Sequence, residues 1–349
     1  MYFLPKEYQD QLDQNIATFW AVLKTCIKIK KDEKILIITD YGNTNHNLSY
    51  LLAKGYQKAL EKKGFMVEFL VQDIKKGFMH VDSHVRQALD LLPENNVIIV
   101  SVSNKLGRFG ERRSFRQFAR EKGHRFLSAS GLKDARNSQF PLFMEAMRIN
   151  YHRMQKRGKA IKKLWDKGKE LRITSELGTD LKVDITEMEA ISNAGEYDSV
   201  GKGGNLPAGE VYIAPRGMKG VSGKVVLDGS IRHESGSKLL SSPLTMYIES
   251  GAIVKMEGED AALMEETFAT FEARAKFPER VRLIGEIGFG INSGAVLMGL
   301  ALMDEKVAGT AHIGIGSNAW FGGAIKTIFH GDQTFKNPTV YVDGVKMLL

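Results

Sequence analysis

Four short apolar runs, separated by segments of helical periodicity, constrain the first half of this 349-residue chain more than any other feature. The runs are EKILIITDYG, FMVEFLV, NVIIVSVS and HRFLSAS. The first is apolar throughout, the pattern of a parallel strand buried on both faces, and ends at Asp40 and Gly42. Residues 47–63, VDSHVRQALDLL and residues 110–122 read as helices, with Gly64 and Gly123 as stops. A leading helix over 7–28 carries Leu12, Ile16, Phe19, Trp20, Leu23 and Ile27 at helical spacing. Alternating strands and helices predict an α/β layer built on a doubly wound parallel sheet. Such sheets take ligands at the carboxyl ends of their strands, here near Asp40–Asn45, Ser101–Lys105 and Ser128–Gly131. No GxGxxG follows the first strand and no GxxxxGK[ST] occurs, so no nucleotide site is expected. Residues 136–168 read as helical, and the basic QKRGKAIKKLWDKGK as a solvated connection between two domains, 1–165 and 166–349.

The second domain has another character. LRITSEL, DLKVDI, EVYIAP, GKVVLDGSI and LTMYIESGAIVKMEG are short alternating segments punctuated by glycine, which reads as antiparallel sheet. DAALMEETFATFEARAKFP reads as a helix ended by proline. The expectation is a β-rich α+β domain.

That domain also carries the candidate site. Glu286, His312, His330 and Asp332 fall in a glycine-rich stretch near the end of the chain, and Glu210 in GKGGNLPAGEVYIAP. In a strand, residues i and i+2 share a face, so His330 and Asp332 would aim at one point, with Gly331 leaving room behind them. Imidazole and carboxylate donors together suit zinc, manganese, cobalt or iron(II). Other polar residues have ordinary readings. Asp304 and Glu305 suit a solvated turn, and His233, in IRHESGSK, an exposed loop. Asp228 and Asp343 precede glycine as in hairpins.

NLPAGEVYIAP, GEIGFGIN, DEKVAGTAHIGIG and the late HxD before PTVYVDG occur in that order. Together they resemble the metalloaminopeptidase family of aminopeptidase T, the thermophilic aminopeptidases, in its shorter branch. The resemblance is close over about residues 170–349 and loose before them. It implies that Glu210, Glu286, His312, His330 and Asp332 each stand where those enzymes have a metal ligand. It further implies a dinuclear zinc, cobalt or manganese centre, a peptide or amide substrate with a free amino terminus, and a homodimer. A bound dication lowers the pKa of its water towards about 7, and Glu286 or Glu210 would handle the proton. One departure weakens the activity: a tyrosine of the longer aminopeptidases is missing from SNAWFGG, where Ala319 and Trp320 stand.

Two other functions remain in view. His312, His330 and Asp332 are also the donor set of a facial triad for non-haem iron(II), and the ring-cleaving 2,5-dihydroxypyridine dioxygenases are distantly similar and keep an equivalent H…HxD set. The presence of Glu210 favours the hydrolase over that alternative. The third reading is a binding protein for nucleic acid. Residues 1–165 hold 30 Lys and Arg against 16 Asp and Glu, and the basic run at 105–125 contains Phe109, Phe115 and Phe118. Those phenylalanines read better as the buried side of a helix, so nucleic acid is not expected. The single cysteine, Cys26, excludes an internal disulfide and a thiolate metal cage. Neither a signal peptide nor a membrane span is apparent, which implies a cytoplasmic protein.

Overall fold

The structure is a computed structural model that describes residues 4–110 and 114–347. It divides into two compact units, one of Met1–Tyr151 with Gly195–Ala208, the other of His152–Ala194 with Gly209–Leu349. The expected single boundary at 165/166 differs from this in two respects. The helix Tyr151–Trp165 falls almost wholly within the second unit, and residues 195–208 return to the first.

The first unit contains the parallel sheet. Its strands lie in the order Val67–Val71, Ile35–Thr39, Val97–Ser101, Arg125–Ala129, all parallel. Ile35–Thr39 and Val97–Ser101 are buried at every position, as a sheet covered on both faces requires. A fifth strand, Gly203–Asn205, joins the edge beside Arg125–Ala129. Asp40 closes the first strand as a structural tie. It is fully buried and accepts from the Ser103 amide at 2.8 Å, Ser49 Oγ at 3.0 Å and the Gly42 amide at 3.0 Å. Phe109 and Phe118 of the basic run are buried, and Phe115 packs against Phe109 and Phe126. Cys26 is buried as well.

The long helix expected over 136–168 is broken. A 3-10 turn at Asn137–Gln139 leads into Phe140–Met147, and Tyr151–Trp165 is a separate helix. Pro141 explains the first boundary. It lacks an amide hydrogen and clashes with the preceding turn, so it is tolerated where a helix begins. None of the helices among the described residues is long and apolar enough to cross a membrane.

The second unit is built on two antiparallel sheets and a hairpin. Seven strands run in the order Ala252–Glu257, Leu244–Glu249, Val221–Leu227, Asp180–Asp184, Glu170–Thr174, Thr339–Val342, Val345–Lys346. The other sheet has His330–Lys336, Thr310–Gly316, Ile284–Gly290, Glu210–Ile213 and Ile191–Asn193. Asp343–Gly344 is the hairpin turn its sequence suggests. Asp228–Gly229 is not: it carries the chain from the seven-stranded sheet into the separate hairpin of Ser230–His233 and Gly236–Leu239. His233 lies on that hairpin strand, half-buried, rather than in an exposed loop.

Asp304 also departs from expectation. It ends the short helix Ala301–Asp304 fully buried, with one oxygen accepting from the Met298 amide at 2.7 Å. Burial raises its pKa to about 6. The unfolded chain therefore releases this proton at lower pH than the fold does, and the carboxyl costs stability as pH rises from about 4 through 6. Asp304→Asn keeps the accepting oxygen and removes the titration. Urea unfolding at pH 4 and pH 7 should show wild type losing about 2 kcal/mol more than the variant over that interval.

Candidate metal centre

The five-stranded sheet has one apolar face and one polar face, and strand alternation separates them. Ile287, Phe289, Ile313, Ile315, Phe335 and Val211 fill the apolar side and are buried. On the other face, cross-strand pairing sets the candidate residues in rows. Glu286 lies opposite Gly314, which lies opposite Asp332. Gly288 pairs with His312, and Gly290 with Glu210. Directly paired residues point the same way, so Glu210, Glu286, His312, His330 and Asp332 all rise from one surface.

Two glycines make the room. A Cβ on Gly288 would sit 1.9 Å from His312 Nε2. One on Gly314 would sit 2.6 Å from Glu286 Cβ and 3.0 Å from Asp332 Oδ1. The repeated G in GEIGFG and HIGIG thus clears the space between the donors. Gly331 serves the opposite face, where a Cβ would meet the Phe329 ring at 2.9 Å and Arg232 Cγ at 3.0 Å.

Glu286 links the cluster. Its Oε1 lies 3.4 Å from His312 Nε2, and its Oε2 lies 3.8 Å from His330 Nε2. His330 Nε2 is 3.4 Å from Asp332 Oδ1, and His312 Nε2 is 3.7 Å from Glu210 Oε2. Two trios therefore converge with donor atoms within 4.8 Å of one another: Glu286, His330 and Asp332, and Glu210, Glu286 and His312. The trio of His312, His330 and Asp332 does not form such a group by itself; Glu286 stands between His312 and the other two.

The electrostatics suit a cation. His330 donates Nδ1–H to the Ser317 carbonyl at 2.9 Å, which fixes the tautomer and turns the Nε2 lone pair towards two carboxylates. Asp332 Oδ1 is buried without a hydrogen-bond donor. Lone pairs so arranged repel unless a proton or a metal ion lies among them. Protons fill that role in the absence of a metal. Burial disfavours the His330 cation, but Asp332, Glu286 and the Ser317 carbonyl together outweigh it and lift the imidazole to about 9. Burial likewise raises Asp332, yet His330 beside it drives the carboxyl well below the usual range. Burial pushes Glu286 up; burial also disfavours the His312 cation, but its hydrogen bond to Glu286 and the negative charges of Asp332, Glu286 and Glu210 together raise that group. The two groups are in hydrogen-bonding contact, Oε1 to Nε2 at 3.4 Å.

Sequence reasoning missed part of the cluster. Lys306 is fully buried, its ammonium bound to both Glu210 and Glu305, and Asn193 Nδ2 donates to Glu210 Oε1 at 2.9 Å. The two carboxylates hold Lys306 charged against the cost of burial. Glu305 is thus not the solvated turn residue expected, and burial raises its pKa well above normal. Lys306 follows Glu305 in a segment with no apolar period, so nothing in the local pattern marks it as buried. SNAWFGG, which lacks the expected tyrosine, brings Trp320 to the site: its ring meets the His330 imidazole edge-on, centroids 4.6 Å apart.

Residues 14–349 match the family described as 2,5-dihydroxypyridine 5,6-dioxygenase, NicX. The chain belongs to that family. The structure of 2,5-dihydroxypyridine dioxygenase from Pseudomonas putida KT2440 is similar at a TM-score of 0.75 and 17% identity, covering 97% of this chain and 96% of that one. Wild-type AmpT from Thermus thermophilus is similar at 0.64 and 15%, covering 96% and 97%. No curated protein matches the sequence. The expectation of an aminopeptidase, and of a hydrolase or protease in general, is corrected by this family match. The likeness to aminopeptidase T holds at the level of the fold. Its motifs lie on the strands of the sheet, and one fold can host more than one reaction. A metal centre fits both the family and the donor cluster.

Gly314→Ala tests the cleared face. The added methyl cannot coexist with Glu286 and Asp332 in place, so metal affinity should fall at least tenfold while the fold persists at a cost of about 1–3 kcal/mol. Metal content after dialysis, with thermal unfolding as the control, checks this.

Proposed function

We propose that this protein is an iron(II)-dependent dioxygenase that opens a hydroxylated nitrogen-heteroaromatic ring of the 2,5-dihydroxypyridine type. The family match over residues 14–349 carries the reading. The donor cluster supports it independently, because lone pairs of imidazole and carboxylate converge there as an iron site needs. Glu286, His330 and Asp332 would hold the ion. One imidazole and two carboxylates are harder donors than the two-histidine triad of the dioxygenase alternative weighed from the sequence, and suit iron(II) or manganese(II) over softer metals. When bound, iron(II) supplies the one-electron chemistry that lets ground-state dioxygen react with a closed-shell ring.

The chain's own residues do the rest. Ser317 keeps the His330 Nε2 lone pair turned inward by accepting its Nδ1 proton. The Glu286–His312 pair stores a proton between Oε1 and Nε2, 3.4 Å apart, and can exchange it with a substrate hydroxyl. Lys306 and Asn193 hold Glu210 on its Oε1 side and keep a carboxylate stable in a dry setting. The apolar opposite face excludes water from behind the site.

The test is oxygen uptake by protein reconstituted anaerobically with iron(II) and then given 2,5-dihydroxypyridine and dioxygen. Loss of ring absorbance should match oxygen consumed mole for mole, and labelled dioxygen should place two oxygen atoms in the ring-opened product. His330→Ala and Asp332→Ala should each lose turnover together with at least about 10–100-fold in metal affinity, the loss seen even for outer-shell partners. Iron-loaded protein that leaves hydroxypyridines intact would refute the reading.

A further inference from the structure

We infer that Trp320 is the stacking platform for the substrate ring, and so the residue that selects a planar aromatic substrate at this site. The inference rests on the ring-opening reading above. Trp320 is 56% exposed, although it meets the His330 imidazole with centroids 4.6 Å apart and an interplanar angle of 79°. A large indole left open to solvent forgoes a sizeable hydrophobic gain, and its position directly beside a candidate metal ligand gives that exposure a use.

The loop that carries Trp320 is anchored beside the site. Trp320 sits in a single 3-10 turn, Ala319–Phe321, within a loop pinned by the fully buried Asn318. Asn318 Nδ2 donates to the Gly285 carbonyl at 2.8 Å, and its Oδ1 accepts from the Ile325 amide at 2.7 Å. The residue before it, Ser317, is the acceptor for His330 Nδ1. One short loop therefore orients the imidazole and presents the indole. Phe321 extends the aromatic surface: it meets Trp320 at 5.2 Å and the Tyr212 ring at 5.2 Å. Tyr212 lies two residues after Glu210 and pairs with Gly288, which places it on the polar face of the sheet. His330, Trp320, Phe321 and Tyr212 form a continuous aromatic border to the donor cluster.

An aromatic border favours a ligand with a π-face. A hydroxylated ring that turns its oxygens towards Glu286, His330 and Asp332 lies against the indole, and offset or edge-on ring contacts are favourable beyond the area they bury. A flexible peptide gains little from such a surface.

Anaerobic calorimetry of the iron-loaded protein separates this role from a structural one, with 2,5-dihydroxypyridine as the ring probe and oxalate as a metal-chelating anion without a ring. Trp320→Ala should raise the dissociation constant for the ring about tenfold. Its iron content and oxalate affinity should stay at wild-type values. Trp320→Phe should bring ring binding back to within about threefold. Ring affinity unchanged in Trp320→Ala, while wild type still turns the ring over, overturns this inference and leaves the ring-opening reading standing. Equal losses for ring and oxalate also overturn it, because the indole would then be supporting His330 rather than the ligand. Failure of iron-loaded wild type to bind the ring at all overturns both.

Discussion

Buried lone pairs forced together on one face of a sheet are the constraint on which the site depends. Glu286 lies within 4 Å of both His312 and His330, and Asp332 and Glu210 close the two ends. Such a group is stable only with positive charge in its midst, because unpaired carboxylates in a dry setting are costly. The sheet bears that cost through its other face, where Ile287, Phe289, Ile313, Ile315 and Phe335 are packed out of water. Stability and chemistry are divided between the two sides of the same strands.

Positive charge enters in two forms. Lys306 is a permanent internal counter-ion for Glu210 and Glu305, held at full burial by two carboxylates. At the His330–Asp332 end no ammonium is in hydrogen-bonding contact among the described residues, and protons occupy the imidazole instead. A metal ion can replace protons readily and a buried lysine hardly at all.

Likeness to an aminopeptidase T fold and membership of a ring-cleaving dioxygenase family are compatible. A glycine-cleared antiparallel sheet positions donors without dictating what they do, and the reaction depends on the metal and on what borders it. Here the border is aromatic. Trp320 occupies the loop in which the sequence lacks the tyrosine expected of a longer aminopeptidase.

Periodicity and glycine spacing were enough to read the layers of both units and the shared direction of His330 and Asp332, because strand alternation is a local rule. The same rule put Gly288 and Gly314 beside the donors without revealing why; their reason lies across the sheet, in His312 and Glu286. The buried Asp304, the partly buried Glu305, the internal Lys306, and the return of residues 195–208 to the first unit were not legible in the sequence. Each depends on partners far away in sequence: Lys306 on Glu210, and Gly203–Asn205 on Arg125–Ala129. The sequence by itself determined which strands alternate and which residues could donate to a metal. Only the tertiary structure decided that Glu286 would be the link between the donors and that a lysine would neutralise Glu210. Burial and charge pairing follow from cross-strand neighbours, and a local pattern cannot specify those.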